Sequence, residues 1–112
     1  MEQAKKIEFR KKAAENIANI AYYITEKGYP ENAKRFADKL YEFGNSLIAF
    51  PNAYTVCKQP QFYRRNMHCA VFHKKYIFVY KLVNNTLIIY KVTFNDKLLL
   101  RQLLLLRQLL NH

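Results

Sequence analysis

His68 is the side chain in this sequence best suited to acid–base chemistry, because the pKa of histidine lies near neutrality. Arg64 and Arg65 lie shortly before it, and a guanidinium group can hold a phosphate or an acidic partner. On a strand these adjacent arginines would face opposite sides, so one of them would only be solvated. Two interpretations stay open for His68: a catalytic acid or base, and a half-buried structural histidine.

The basic residues are concentrated in the second part of the chain. The whole sequence has a formal net charge of +11. Residues 1–42 contribute +2, whereas residues 43–112 contribute +9 and contain one acid, Asp96. Such a one-sided field attracts nucleic acid, an acidic protein or an anionic membrane. The residues expected to contact an anionic partner are Arg64, Arg65, Lys74, Lys75, Lys81, Lys91 and Lys97.

Several kinds of chemistry find no support in the sequence. It contains no P-loop, no GxGxxG, no HExxH and no paired-carboxylate arrangement. One acid after residue 42 is too few for a Mg²⁺ site or for carboxylate-based hydrolysis. Cys57 and Cys69 do not make a disulfide framework, and we expect two half-buried thiols rather than a zinc site. We therefore predict neither a cofactor nor a metal.

The apolar pattern of the first half predicts a short strand followed by two helices. Residues 5–10 alternate Ile7 and Phe9 with charged residues, as a strand does. Residues 11–27 and 30–48 repeat apolar residues every three or four positions, as amphipathic helices do. Only two residues separate the helices, so they should form an antiparallel αα-hairpin.

The apolar period changes to two in the second half of the chain. Residues 51–61 read as a loop, residues 62–72 contain a strand, and 73–75 form a turn. Residues 76–83 and 86–94 are strands joined by Asn84-Asn85, which tolerates positive φ. These links are too short for parallel crossovers, so we expect a three-stranded antiparallel meander. The prediction is an α+β fold whose aromatic face, with Tyr76, Phe78 and Tyr80, packs on the helices, while Lys81 and Lys91 face away.

The end of the chain is a leucine-rich tail at residues 98–112. The motif LLLRQL occurs twice in it, and we expect a helix that packs on the sheet or forms a homodimer. Its apolar stretch of 13 residues is too short to span a bilayer of ~30 Å. The polar N-terminus is not typical of a signal peptide. We expect one domain over residues 1–97, no membrane partner and a cytoplasmic location.

Three stretches of the chain resemble the RelE/ParE superfamily of bacterial toxins. They are AENIANIAYYI (14–24), YPENAKRFADKLYEFGNSLIAFPN (29–52) and YIFVYKLVNNTLIIYKV (76–92). Their order is similar to the family's two helices and its hairpin of aromatic-aliphatic strands. The resemblance implies a type II toxin–antitoxin module that serves plasmid stabilisation, in which a cognate acidic antitoxin neutralises the toxin.

The superfamily divides by target, and the resemblance implies different residues for each branch. RelE-like members cut mRNA in the ribosome with a basic set, whose strand arginine falls here on Ile77 and whose late basic position falls on Lys97. Phe94 and Asn95 stand where that branch carries His or Arg. These departures favour the ParE-like branch, which acts on DNA gyrase, and inhibition by binding. The alternatives are a ribosome-dependent RNase that uses His68 with Arg64, Arg65 and Lys97, and a degenerate non-toxic binding protein.

Overall fold

The fold was analysed in a computed structural model that describes residues 4–27 and 30–95. Lys97 and the tail at residues 98–112 lie outside this range, so the predicted helix and homodimer remain predictions. Within the described residues the chain forms an α+β fold, as predicted. Its elements are β1 (Lys6–Phe9), α1 (Lys11–Lys27), α2 (Pro30–Ser46), α3 (Pro60–Tyr63), β2 (His68–Phe72), β3 (Tyr76–Val83) and β4 (Thr86–Phe94).

The strands form a mixed sheet in the order β1-β4-β3-β2. The β2–β3 and β3–β4 pairs are antiparallel, which confirms the meander. β1 adds to β4 in parallel, with Lys6 opposite Thr86 and Phe9 opposite Ile89. This parallel pairing is possible because the chain between the two strands includes both long helices.

Two tight turns connect the meander, and both depend on residues with positive φ. Asn84 and Asn85 have φ of 49° and 66°, the left-handed geometry that a two-residue hairpin needs. His73 and Lys74 have φ of 52° and 61° in the turn between β2 and β3. Both predicted turns are confirmed.

The helices cover one face of the sheet, here called the inner face. Ala13, Ile17 and Ile20 of α1 and Leu40 of α2 pack there against the strands. The predicted aromatic face is confirmed, because its three aromatic side chains lie in this same cluster and are at most 8% exposed: Tyr76, Phe78 and Tyr80. Each large apolar side chain buried in this way contributes about 1.5–3 kcal/mol. This layer is the main core of the described chain.

The segment before β2 differs from the prediction. Residues 62–72 were predicted to contain a strand, and β2 occupies His68–Phe72 within that range. Pro60 opens the one-turn helix α3, and the chain then turns at Asn66, whose φ is 57°. The prediction of a loop over residues 51–61 was wrong at its end, because a four-residue helix is too short to show an apolar period.

The prediction of two half-buried thiols was also wrong, because Cys57 and Cys69 form a disulfide. Val56 pairs with His68 at the edge of β2, which brings the Cα atoms of the two cysteines to 5.0 Å. That distance lies within the range that a disulfide requires. Cys57 is 2% exposed, and Cys69 is half-buried.

Candidate functional site

The second face of the sheet, here called the outer face, carries basic side chains beside aromatic ones. Ile77, Val79 and Lys81 point to it from β3, since they alternate with the inner-face aromatics. On β4 the register shifts by one residue: Lys91 lies opposite Val79, and Ile89 lies opposite Tyr80. The shift is a β-bulge that leaves one extra residue on β4, and such bulges redirect side chains.

The bulge sends Tyr90 and Lys91 to the outer face together. Tyr90 packs against the buried residues of this face. The ammonium group of Lys91 lies over the ring of Phe62 from α3, 5.9 Å from its centre. The guanidinium of Arg10 lies over the ring of Tyr90, 5.6 Å from its centre. Each cation–π contact at such an exposed site contributes about 0.5–1 kcal/mol. The two contacts hold cations at fixed places on the surface.

A small apolar cluster forms the floor beneath these cations. Its buried members are Cys57, Met67, Ile77 and Val79. Phe62, Cys69 and Tyr90 pack against it from the solvent side. The segment that carries α3 therefore covers part of the outer face, while Val71 and Val83 remain 42% and 36% exposed along β2 and β3.

The charges on the outer face are mostly positive. Lys81 lies opposite Ile88, which in turn lies opposite Glu8 of β1. Among the strands of the described sheet, Glu8 has the only acidic side chain. It is already paired with Arg10, at 3.4 Å between Nε and Oε2. Lys81 and Lys91 therefore remain as cations that an acidic partner could neutralise.

Arg64 and Arg65 lie in a different kind of structure from the one predicted for them. They were expected on a strand, facing opposite sides, but they follow α3 in an exposed turn. The Arg65 amide donates to the carbonyl of Phe62, whose ring contacts the apolar floor. Both arginines therefore lie beside the segment that covers part of the outer face, rather than within the sheet.

The structure separates Lys74 and Lys75 from this group. They occupy the turn after β2, whereas Arg64 and Arg65 precede it, so the length of β2, about 17 Å, lies between the pairs. Asn95 binds this turn through its amide and its side chain, which donate to the carbonyls of Lys75 and Lys74. Both lysine side chains are exposed.

His68 points away from the outer face. Its ring stacks on the inner-face residue Tyr80 at 5.4 Å between ring centres. Its Nδ1 lies 2.6 Å from the carbonyl oxygen of Tyr54, so that nitrogen must carry the proton and donate it. The half-buried His68 is thereby tied into the packing of the loop.

Tyr80 completes this buried network. Its hydroxyl donates to the carbonyl of Pro51 at 2.7 Å. Burial, together with the nearby Tyr54, raises the pKa of Tyr80 to about 12. The phenol therefore stays protonated at neutral pH and is poorly suited to act as a base beside His68.

Sequence reasoning missed Arg10 as a member of the outer face. The signal was present, because the alternation of Lys6, Glu8 and Arg10 against Ile7 and Phe9 extends one residue past β1. Its contact with Tyr90 could not be predicted, since it depends on the parallel pairing of β1 and on the bulge in β4.

No group of three or more His, Cys, Asp or Glu side chains gathers in the described residues in a way that could hold a metal ion. None of the helices in residues 4–27 and 30–95 has the length and apolar character needed to cross a membrane.

Comparison with protein families identifies the family of this chain. A family model described as the ParE toxin of the type II toxin-antitoxin system, parDE, matches residues 7–95. This range begins at the second residue of β1 and runs past the end of β4, so it includes the whole described sheet except Lys6. The chain therefore belongs to the ParE toxin family and is a toxin of the type II toxin–antitoxin class. No curated protein sequence matches it.

Proposed function

We propose that this toxin inhibits an essential target of the DNA gyrase class by binding to it, and that an acidic antitoxin neutralises the toxin. The observation that carries the proposal is the outer face, where Lys91 stands over Phe62 and Arg10 over Tyr90. A surface of this kind suits recognition of carboxylates flanked by apolar groups. The toxin would act in the cytoplasm, and stabilisation of a plasmid or chromosomal region would be the outcome.

The position of His68 supports inhibition by binding over RNA cleavage. A catalytic base needs a nitrogen within hydrogen-bond reach of the 2′-hydroxyl, with cations near the phosphate. His68 uses Nδ1 to bind Tyr54 and faces the inner side of the sheet. Lys81 and Lys91 lie on the other side. A phosphate held by those lysines would be separated from His68 by the sheet itself. The nuclease alternative would have to use Arg64 and Arg65, which follow α3 in an exposed turn.

The antitoxin would use the same surface. Lys81 and Lys91 offer positive charges that the protein itself leaves unneutralised in the described sheet, and Val71 and Val83 offer exposed apolar contacts beside them. An acidic segment that folds on this face would neutralise the lysine charges and bury the valine side chains, at the entropic cost of becoming ordered.

A supercoiling assay with purified DNA gyrase tests the target class. We expect the toxin to inhibit supercoiling, and the double variant Lys81→Gln/Lys91→Gln to lose most of the inhibition. His68→Ala is the matched control and should inhibit like the parent protein. Inhibition that is insensitive to both lysines would contradict a binding surface on the outer face.

Primer extension on ribosome-bound message tests the nuclease alternative. If induction produced site-specific cuts that His68→Ala abolishes, the toxin would be a ribosome-dependent RNase and the proposal would be wrong. If induction caused neither cuts nor growth arrest, the protein would be a degenerate binding protein.

Co-expression of the acidic protein encoded by a neighbouring reading frame should restore growth and allow the pair to be purified together.

A further inference from the structure

The disulfide closes a loop that carries a large part of the outer face. Residues 57–69, here called the disulfide loop, contain α3, the exposed Arg64 and Arg65, and Phe62 beneath Lys91. Cys57 forms one end of the loop, and Cys69 of β2 forms the other. Whatever changes this bond therefore changes how firmly these side chains are held.

Backbone contacts close the base of the disulfide loop, and Cys69 lies opposite Val79 in the β2–β3 ladder. The Cys57 amide donates to Met67 at 2.7 Å, and the Cys69 amide donates to Thr55 at 3.2 Å. Val56 makes a single bridge to His68. Away from its base, the loop contributes Met67 to the apolar floor, and Phe62 packs against that floor.

The apolar floor is small compared with the inner core. It has four buried residues, two of which are Cys57 and Met67 of the disulfide loop itself, whereas the inner cluster has thirteen. Opening the loop would expose the floor and leave the packing of helices on sheet intact. Local opening of this kind costs much less free energy than global unfolding. The disulfide is therefore a major constraint on the position of the loop.

We propose that Cys57 and Cys69 form a reversible thiol–disulfide site, and that its oxidation state controls the position of the Arg64–Arg65 turn beside the outer face. A thiolate of a dithiol reductant would attack the sulfur of the more exposed Cys69, forming a mixed disulfide and releasing the Cys57 thiolate, which takes up a proton. The second thiol of the reductant then displaces the Cys69 thiolate, which is protonated in turn. Two electrons and two protons pass to the protein, and the reductant leaves as a cyclic disulfide.

The two redox states differ in the surface that they present. In the oxidised state the disulfide loop holds Phe62 under Lys91 and keeps both arginines in the turn that follows α3. In the reduced state the loop opens, so the cation–π contact is lost and Val79 becomes accessible. If the proposed function is correct, the oxidised toxin binds an acidic partner more tightly than the reduced toxin does. Cytosolic reductants make the reduced state accessible in a cell.

Limited trypsin digestion with and without dithiothreitol tests the redox control directly. The chain has two cysteines, so reduction can act on this pair alone. We expect dithiothreitol to accelerate cleavage after Lys58, Arg64 and Arg65 about tenfold. The Lys74–Lys75 turn lies outside the disulfide loop and is the internal control, so its cleavage should not change. Fragments are separated after denaturation and full reduction, so that oxidised and reduced samples are compared alike.

Two results would overturn the proposal. Equal cleavage of the loop in both redox states would show that the disulfide does not hold it. Equal acceleration at the loop and at Lys74–Lys75 would show that reduction unfolds the whole protein. The digestion does not depend on toxicity, so this test can fail or succeed independently of the proposed function.

The variant Cys57→Ala/Cys69→Ala provides a second test. It should be cleaved at the fast rate without dithiothreitol and should not respond to it. If the variant does not fold, hydrogen exchange of the parent protein is measured instead. The Cys57 and Met67 amides should lose protection on reduction, while the Phe78 amide keeps it.

Binding of a decaglutamate peptide should weaken about threefold on reduction. If reduction speeds cleavage of the loop but leaves peptide binding unchanged, the oxidation state does not affect the basic surface. That result would overturn the proposed link between the disulfide and binding.

Discussion

Lys91 extends its ammonium group over the ring of Phe62, which joins β4 to α3 across the outer face. The contact exists because the bulge in β4 turns Lys91 outward opposite Val79. The aliphatic stem of the lysine can lie on the apolar floor while its charge remains in solvent. A cation held in this way loses less conformational freedom on binding than a lysine on a turn, such as Lys75.

We expect Lys91→Gln to weaken binding of an acidic peptide about fivefold, because one favourable charge pair of about 1 kcal/mol is lost. Isothermal titration with decaglutamate at low salt measures the change. Lys75→Gln removes the same charge from the distant turn and is the matched control. Similar losses for the two variants would mean that the peptide responds to net charge and not to the outer face.

Asn16 supports β4 beyond the end of β1. β1 pairs only as far as Ile89, and the amide of Val92 donates to Oδ1 of Asn16 on α1 at 3.1 Å. We expect Asn16→Ala to lower the free energy of unfolding by about 1–3 kcal/mol, since a partly buried amide loses its acceptor. Asn19→Ala, on the exposed side of the same helix, should change it by about 0.5 kcal/mol or less. Urea denaturation measures both, and equal effects would contradict the role of Asn16.

Gly44 allows α2 to approach the sheet closely. A Cβ atom at this position would lie 2.7 Å from Cζ of Phe9 and 2.8 Å from Cδ1 of Ile89. Crowding costs about 1–3 kcal/mol, and alanine regains about 1 kcal/mol of helix propensity. We therefore expect Gly44→Ala to destabilise the protein by about 1 kcal/mol and Gly44→Val by more. Asn45→Ala, at the exposed neighbouring position, should not destabilise it, and thermal unfolding distinguishes the three variants.

The raised pKa of Tyr80 predicts a loss of stability at high pH. Its pKa is about 12 in the folded protein against 10.0 for an unperturbed tyrosine, so the folded state holds the proton more tightly. The resulting stabilisation, about 3 kcal/mol, is fully present below pH 10 and is lost between about pH 10 and 12. Burial also raises the pKa of Tyr76, with a contribution from Tyr23, so part of the pH dependence belongs to that residue.

Urea denaturation across this pH range measures the effect. Tyr80→Phe should be less stable than the parent at neutral pH, because the Pro51 carbonyl loses its donor, and its stability should depend less on pH. Tyr22→Phe removes the hydroxyl of a tyrosine that is 66% exposed and is the matched control variant. An unchanged pH dependence in Tyr80→Phe would contradict the assignment.

The elements that could be predicted from the sequence are those with a repeated local pattern. α1 begins and ends where the apolar stripe does, and β3 and β4 are bounded by the Asn84-Asn85 turn. The helix α3 could not be predicted, because one turn contains no repeat. Pro60 stands at the start of α3, where proline is common in helices. This signal can be interpreted only when the structures of the neighbouring segments are known.

The candidate site was less predictable because it depends on contacts between distant residues. The parity of Lys81 and Lys91 placed both on the face opposite the aromatics, as the structure has them. The contact of Arg10 with Tyr90 and the bond between Cys57 and Cys69 depend on how strands pair across the sheet. A single sequence contains no local signal for such pairings.

The parallel pairing of β1 with β4 has a consequence for the life of this toxin in the cell. Lys6 meets Thr86, eighty residues later in the sequence, so the sheet cannot close until nearly the whole chain has left the ribosome. Until β4 emerges, a nascent polypeptide lacks the interior strand that joins β1 to β3 and therefore its finished shape. The folded toxin therefore forms only after its last strand has been synthesised, and under the proposed function this delay leaves time for an antitoxin to be present before the toxin is complete.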